Sequence, residues 1–274
     1  MARSRRRGRR SGGSGTQVLA ASLLGVACLA IIGGFAWFKL TAEKRPELVA
    51  ETLCPVDGPR SVTVVLLDTS DDIPAVGRRQ LATYLGDLAD ELPDYGLLEL
   101  RLLDPSVDGG RTVFSKCNPG NGANLSQLVA NPAAVRRRWT ETFQAPLRAA
   151  LDQGMAPSAS ESSPIMETIQ RIAVERFDGR SVEDVDKRLV VVSDMIEHGP
   201  IYSQYKEGVS FAAFSKSAAS RAFATDLHGA DVSIRLIQRA SAKFDANGQV
   251  AFWQEWFEAN RGRVRDVEKV QGAG

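Results

Sequence analysis

The sequence predicts an α/β domain, a doubly wound and mostly parallel sheet with helices on both faces, preceded by one transmembrane helix. Three observations carry this reading. Two apolar runs, Val62 to Leu67 and Leu189 to Val192, end on Asp68-Thr69-Ser70-Asp71-Asp72 and on Ser193-Asp194. Strands of a parallel sheet, buried on both faces, read as such runs, and open α/β sheets bind ligands beyond their carboxyl ends. Strand-like and helix-like segments then alternate over about 200 residues, the pattern of crossover helices winding a parallel sheet. Finally, Val18 to Phe38 carries no charge over roughly 21 residues, enough to cross the hydrocarbon core of a bilayer.

The elements follow in order. Residues 1–16 are a basic head, rich in Arg, Gly and Ser, expected to be disordered and cytoplasmic. Arg3, Arg5, Arg6, Arg7, Arg9 and Arg10 lie there, hidden within a net charge of +1 that gives the whole chain no nucleic-acid bias. Residues 17–39 read as an uncleaved signal anchor. The arginines hold its start in the cytoplasm, Trp37 and Phe38 favour the far interface, and the remainder is exported. This topology fits a bacterial inner membrane, with the main domain facing the periplasm. A cleaved signal peptide is the alternative, but Gly34-Phe35-Ala36 is a poor cleavage site with bulky Trp37 behind it. No complete twin-arginine motif surrounds the Arg-Arg pairs.

Residues 40–60 read as a stalk broken by Pro46, Pro55, Gly58 and Pro59. A first strand follows at 62–68. The next helix runs from Val76 to Leu92, between Pro74 and Pro93. Strands are expected at 97–103 and near 111–115, and helices at 132–151 and 165–177. A buried strand at 189–193 precedes a helix at 209–227, a strand at 232–237 and a closing helix at 249–259. Residues 262–274 are expected to be a polar, frayed tail. Phe252, Trp253, Trp256 and Phe257 have helical spacing and read as core. No internal repeat and no second domain is visible, and the 43% hydrophobic content allows a substantial core.

Of the three cysteines, Cys28 lies in the apolar segment. Cys54 and Cys117 lie in the exported part, where thiols oxidise, and are expected to form a disulfide. Two cysteines without nearby histidines make a poor zinc site. Two free, buried thiols are the alternative.

The acidic and hydroxyl positions resemble those of the von Willebrand factor A domain. That family has Asp-x-Ser-x-Ser after the first strand, a Thr in a loop before a later helix and an Asp at the end of the fourth main strand. Here the matching pieces are Asp68-Thr69-Ser70-Asp71-Asp72, Ser162-Ser163-Pro164-Ile165 and Ser193-Asp194-Met195. The resemblance covers residues 61–261. It implies a metal-ion-dependent adhesion site in which Asp68, Ser70, Asp72, Ser163 and Asp194 hold Mg2+ or Mn2+. An acidic side chain of another protein would complete the coordination. Two positions depart from the pattern: Asp72 stands where the family has Ser, and Ser163 stands where it has Thr. The first adds negative charge beside the metal, or else caps the following helix. Magnesium takes few carboxylates and keeps several waters, which agrees with this donor set.

His198 and Tyr202 are expected on the same rim, as partner-binding residues. No catalytic residue is assigned. Ser203-Gln204-Tyr205-Lys206 lacks the companion motifs of the penicillin-recognising enzymes, and no nucleotide-binding loop is present. The expected function is therefore a membrane-anchored, cation-dependent protein-binding domain in an envelope or surface assembly, without nucleotide or nucleic acid. The alternatives are a metal-assisted hydrolase with His198 as general base, and a structural subunit with a degenerate site.

Overall fold

A computed structural model describes residues 14–41, 46–70, 73–123, 131–156, 160, 162–238 and 244–270. The chain divides into two compact units, Met1–Pro46 and Glu47–Gly274. In the first, helix α1 (Ser14–Thr41) contains Gln17–Trp37, 21 residues long and apolar enough to cross a membrane. Its large apolar side chains, among them Leu24, Ile31 and Trp37, are exposed rather than buried in a core. This suits a lipid-facing helix, which needs no amphipathic stripe.

The second unit holds one six-stranded sheet in the order β3-β2-β1-β4-β5-β6. Its strands and helices are β1 (Ser61–Leu67), α2 (Ala75–Glu91), β2 (Leu97–Leu102), β3 (Arg111–Cys117), α3 (Pro132–Trp139), α4 (Ala145–Gly154), α5 (Ile165–Ile172), β4 (Asp186–Ser193), α6 (Gln204–Glu207), α7 (Phe211–Phe214), α8 (Ala218–Ala222), β5 (Asp231–Ile237), α9 (Ala246–Ala259) and β6 (Arg263–Val270). All neighbours are parallel except β2 and β3. The chain lays down β1, β2 and β3 towards one edge, then returns beside β1 and builds β4, β5 and β6 towards the other. That reversal makes β1 and β4 the topological switch point.

Both faces of the sheet are covered. Val64, Leu66, Leu189, Val191 and Ile234 pack under α5 and α9, whose Ile165, Ile169, Phe252, Trp253 and Trp256 are buried. Val65, Leu67, Leu100, Val190 and Val192 pack under α2 and the α3–α4 helix, through Leu81, Leu85, Trp139, Phe143 and Leu147. The period-two alternation of β1 and β4 thus feeds two cores at once. Local chemistry sets the helix ends. Asn131 accepts a hydrogen bond from the Ala134 N–H at 3.1 Å, and Asp245 accepts one from Gly248 at 3.0 Å, both N-caps. Between α3 and α4 the helix widens into a π-turn, Thr140–Gln144. Pro146 lies just beyond, lacks an N–H and crowds the preceding turn, which accounts for the widening.

Three expectations change. The segment read as a polar tail instead forms β6, with an alternation too charged to stand out in sequence. The helix expected at 209–227 is divided into α7 and α8, with Ser215 and Ser217 between them bonding the local backbone. The stalk is partly folded into the domain. Leu48 bridges Pro55, the Cys117 N–H donates to Thr52 O at 2.8 Å, and Cys54 and Cys117 form the expected disulfide.

Candidate functional site

The site lies at the carboxyl ends of β1 and β4. The Asp68 N–H donates to Val192 O at 2.8 Å, continuing the β1–β4 ladder by one residue and seating Asp68 beside Ser193. The Asp68 side chain is buried. Its Oδ2 accepts hydrogen bonds from Ser163 Oγ at 2.8 Å and Ser193 Oγ at 2.7 Å. Its Oδ1 accepts the Ser70 N–H at 3.0 Å, a local turn that Asp favours. Ser163 and Ser193 lie 95 and 125 positions from Asp68 in sequence, so the fold alone brings them together.

Asp194 is also buried, and its Oδ1 accepts the Ile196 N–H at 3.0 Å. Burial, reinforced by the negative charge of Asp68, pushes its carboxyl up to about 7. The next residue, Met195, sits in the left-handed region at φ 61°. A non-glycine residue there stores about 1–3 kcal/mol of strain and persists only where its surroundings fix it. Here α9 does so: Trp253 Nε1 donates to Met195 O at 2.6 Å and Gln249 Nε2 donates to Asp194 O at 2.8 Å.

The loop before α5 is held against the loop after β4. The Ser163 N–H donates to His198 O at 2.7 Å, and the His198 N–H donates to Ser163 O at 3.0 Å. Ser163, rather than Ser162, therefore places its hydroxyl on Asp68. Of the residues expected at the metal, Asp68 and Ser163 meet directly, Ser70 bonds Asp68 through its backbone, and Asp194 stands beside them. Asp72 lies outside the described residues. His198 is half-buried; its Nδ1 lies 2.9 Å from Ser203 Oγ, and its ring meets Tyr205 edge-on. Tyr202 is not on the rim surface. It is buried, with its ring 5.0 Å from Phe214, because the loop turns it inward and leaves Ile201 outside.

Three participants escaped the sequence reading. The Ser193 hydroxyl was within reach, since parallel register places it next to Asp68. Glu197 and Gln204, both fully buried in the loops behind the site, left no signal in an isolated sequence. Among the described residues, no three His, Cys, Asp or Glu side chains form a metal cluster. The donors brought together are instead the Asp68 and Asp194 carboxylates and the Ser163 hydroxyl, since Ser193 Oγ already accepts the Met195 N–H. A hydroxyl that donates to a carboxylate keeps oxygen lone pairs for a cation. A cation would also offset the burial and the neighbouring Asp68 charge that oppose ionised Asp194. This set fits a hard divalent ion that retains waters.

No family model and no curated protein matches the chain. Among solved structures, it is similar to an aerotolerance-related membrane protein from Bacteroides fragilis, at 13% identity and a TM-score of 0.36, over 77% of this chain and 91% of that one. It is also similar to a von Willebrand factor type A protein from Catenulispora acidiphila, at 13% identity and a TM-score of 0.40, over 77% of this chain and 39% of that one. These likenesses concern fold alone. On its own strand order and pairing, the domain is a doubly wound, mostly parallel α/β sheet.

Proposed function

We propose that this chain is a membrane-anchored protein whose exported domain binds Mg2+ or Mn2+ and, through it, another protein. Asp68, Ser70, Ser163 and Asp194 would hold the ion, with Asp72 beside them in sequence. The observation that carries this reading is the convergence of the Ser163 and Ser193 hydroxyls on one oxygen of buried Asp68, beside buried Asp194. A bound cation would offer an open position to an acidic side chain of the partner. The arginine-rich head supports a cytoplasmic N-terminus, and the Cys54–Cys117 disulfide supports an oxidising compartment for the domain. The reading is one of binding, in which the Ser163 and Ser193 hydroxyls serve to hold Asp68 in place beside the ion.

The test uses the full-length chain in lipid nanodiscs, titrated with Mn2+ and followed by electron paramagnetic resonance. The expected result is one saturable site, lost in Asp68→Ala and competed by Mg2+. An absence of saturable binding at millimolar Mn2+ overturns the cation reading.

A further inference from the structure

Glu197 is the most completely buried acidic residue behind the site, at zero exposure. Its Oε2 accepts the N–H of Met166, in the first turn of α5, at 2.8 Å. Its own N–H donates to Gln204 Oε1 at 2.9 Å, and its carbonyl accepts the Gln204 N–H at 2.9 Å. One residue on, His198 makes the reciprocal backbone pair with Ser163. Glu197 and His198 together therefore bind three separate stretches of chain. These are the loop that carries Asp194, the loop and helix start that carry Ser163, and the turn that opens α6.

A carboxylate is an expensive way to make these bonds. Burial pushes the Glu197 carboxyl up to about 8, against the Met166 and Ile165 N–H groups that favour its charge, and Glu167 and Asp68 add repulsion. Its second oxygen, Oε1, finds no hydrogen-bond partner among the described residues. Buried polar atoms are nearly always paired, so an exception calls for a reason. The reach of the side chain supplies one. Ser163 stands on Asp68 only if the start of α5 is fixed relative to the loop after β4, and Glu197 is the side chain that spans from that loop to the helix.

We propose that Glu197 is a positioning residue of the candidate site: its side chain, bonded from the loop after β4 to the first turn of α5, sets where Ser163 stands over Asp68. It touches neither the ion nor the partner. This rests on the cation reading for its effect on binding, but not for its effect on structure.

The test separates reach from the acid group. Glu197→Asp keeps the carboxyl group and loses one methylene of reach, whereas Glu197→Gln keeps the reach and the acceptor and loses the acid. Each full-length variant is read in nanodiscs in two ways. The first is hydrogen exchange at the amides of residues 163–168 in metal-free buffer. The second is Mn2+ affinity. Glu197→Asp is expected to expose the Met166 amide and weaken Mn2+ at least tenfold. Glu197→Gln is expected to keep protection and to hold affinity within about twofold of the starting protein. A loss in Glu197→Gln with Glu197→Asp unaffected assigns the role to the acid group rather than its reach and overturns the proposal. Equal effects, or none, from the two variants overturn it as well, by making Glu197 an ordinary core residue. If the unsubstituted chain binds no Mn2+, the cation reading fails, and the exchange experiment alone still decides whether Glu197 fixes the start of α5.

Discussion

Two concave regions of the domain carry charge, and they resolve it in opposite ways. One is the rim at the ends of β1 and β4. The other runs beside α2, over the part of the sheet formed by β5 and β6, where a cavity of about 490 Å³ is lined by Tyr84, Arg235 and Glu268. In that groove the charges answer one another. The Arg235 side chain is nine-tenths buried, pairs with Asp266 and Glu268, and stacks 4.1 Å from the centre of the Tyr84 ring. Burial alone would raise the Asp266 carboxyl, but the Ser233 hydroxyl and Arg235 outweigh it and hold the group below its ordinary value. At the rim, burial with a neighbouring carboxylate drives Asp194 the other way, against the Ile196 N–H that favours its charge. The groove thus holds a carboxyl below its ordinary value, whereas the rim holds one above it.

The comparison breaks most readily at Asp194. A carboxyl raised in the folded state binds protons more readily there than in the unfolded chain. Stability therefore falls as pH rises from about 4 to about 7 and stays low above that. Asp194→Asn, which keeps an acceptor for the Ile196 N–H, is expected to remove this share of the slope and leave that of Glu197. It should stabilise the protein at pH 8 by on the order of 3 kcal/mol in the presence of chelator. Urea unfolding across pH measures this, and a variant with the original slope would place the repulsion elsewhere. Saturating Mg2+ should erase most of the difference.

The groove should respond in the opposite sense. Arg235→Ala removes the cation from a paired set and is expected to destabilise by about 2 kcal/mol, discounted because its carboxylate partners are half-exposed or more. Divalent ions should not restore it. A gain in stability on losing Arg235 would show that the pairing never offset its burial. Ser193→Ala and Ser163→Ala each remove a hydroxyl donor from Asp68, and each should lower stability by about 1 kcal/mol in the same assay. Only Ser163→Ala should also alter cation affinity strongly, since Ser193 Oγ already accepts the Met195 N–H. At the other end of the same two strands, Arg263 at the start of β6 pairs with Asp231 at the start of β5 while largely exposed. Arg263→Ala should shift stability by less than about 0.5 kcal/mol. A larger loss there would mean that the charges along β5 and β6 form a cooperative network rather than a set of local pairs.

Much of this was legible in sequence, for identifiable reasons. The strands at β1 and β4 stood out because both of their faces are buried, leaving unbroken apolar runs. Pro74 and Pro93 bracket α2 closely. β6 did not stand out, because an edge strand with a solvated face carries Arg, Asp, Glu and Lys between its few valines. The division of α7 from α8 depends on serine hydroxyls competing for backbone groups, which helical periodicity does not report. At the site, Asp68, Ser163 and Asp194 were visible as strand-end and loop residues. The contact between Ser163 and Asp68 was not, because it depends on how two loops pair. Tyr202 was misplaced for a related reason: it follows exposed Ile201 on a loop, and packing against Phe214 and Phe252 turns it inward.

The disulfide bears on mechanics as well as on folding. The chain arriving from the apolar helix leads into β1, and β1 ends at Asp68. Without a cross-link, tension along that chain would pass straight down one strand to the site. The Cys54–Cys117 bond lies ahead of β1 and joins the incoming chain covalently to the end of β3. In a membrane-anchored chain, a pull would then divide between β1 and the antiparallel β2–β3 edge rather than pass down β1 alone.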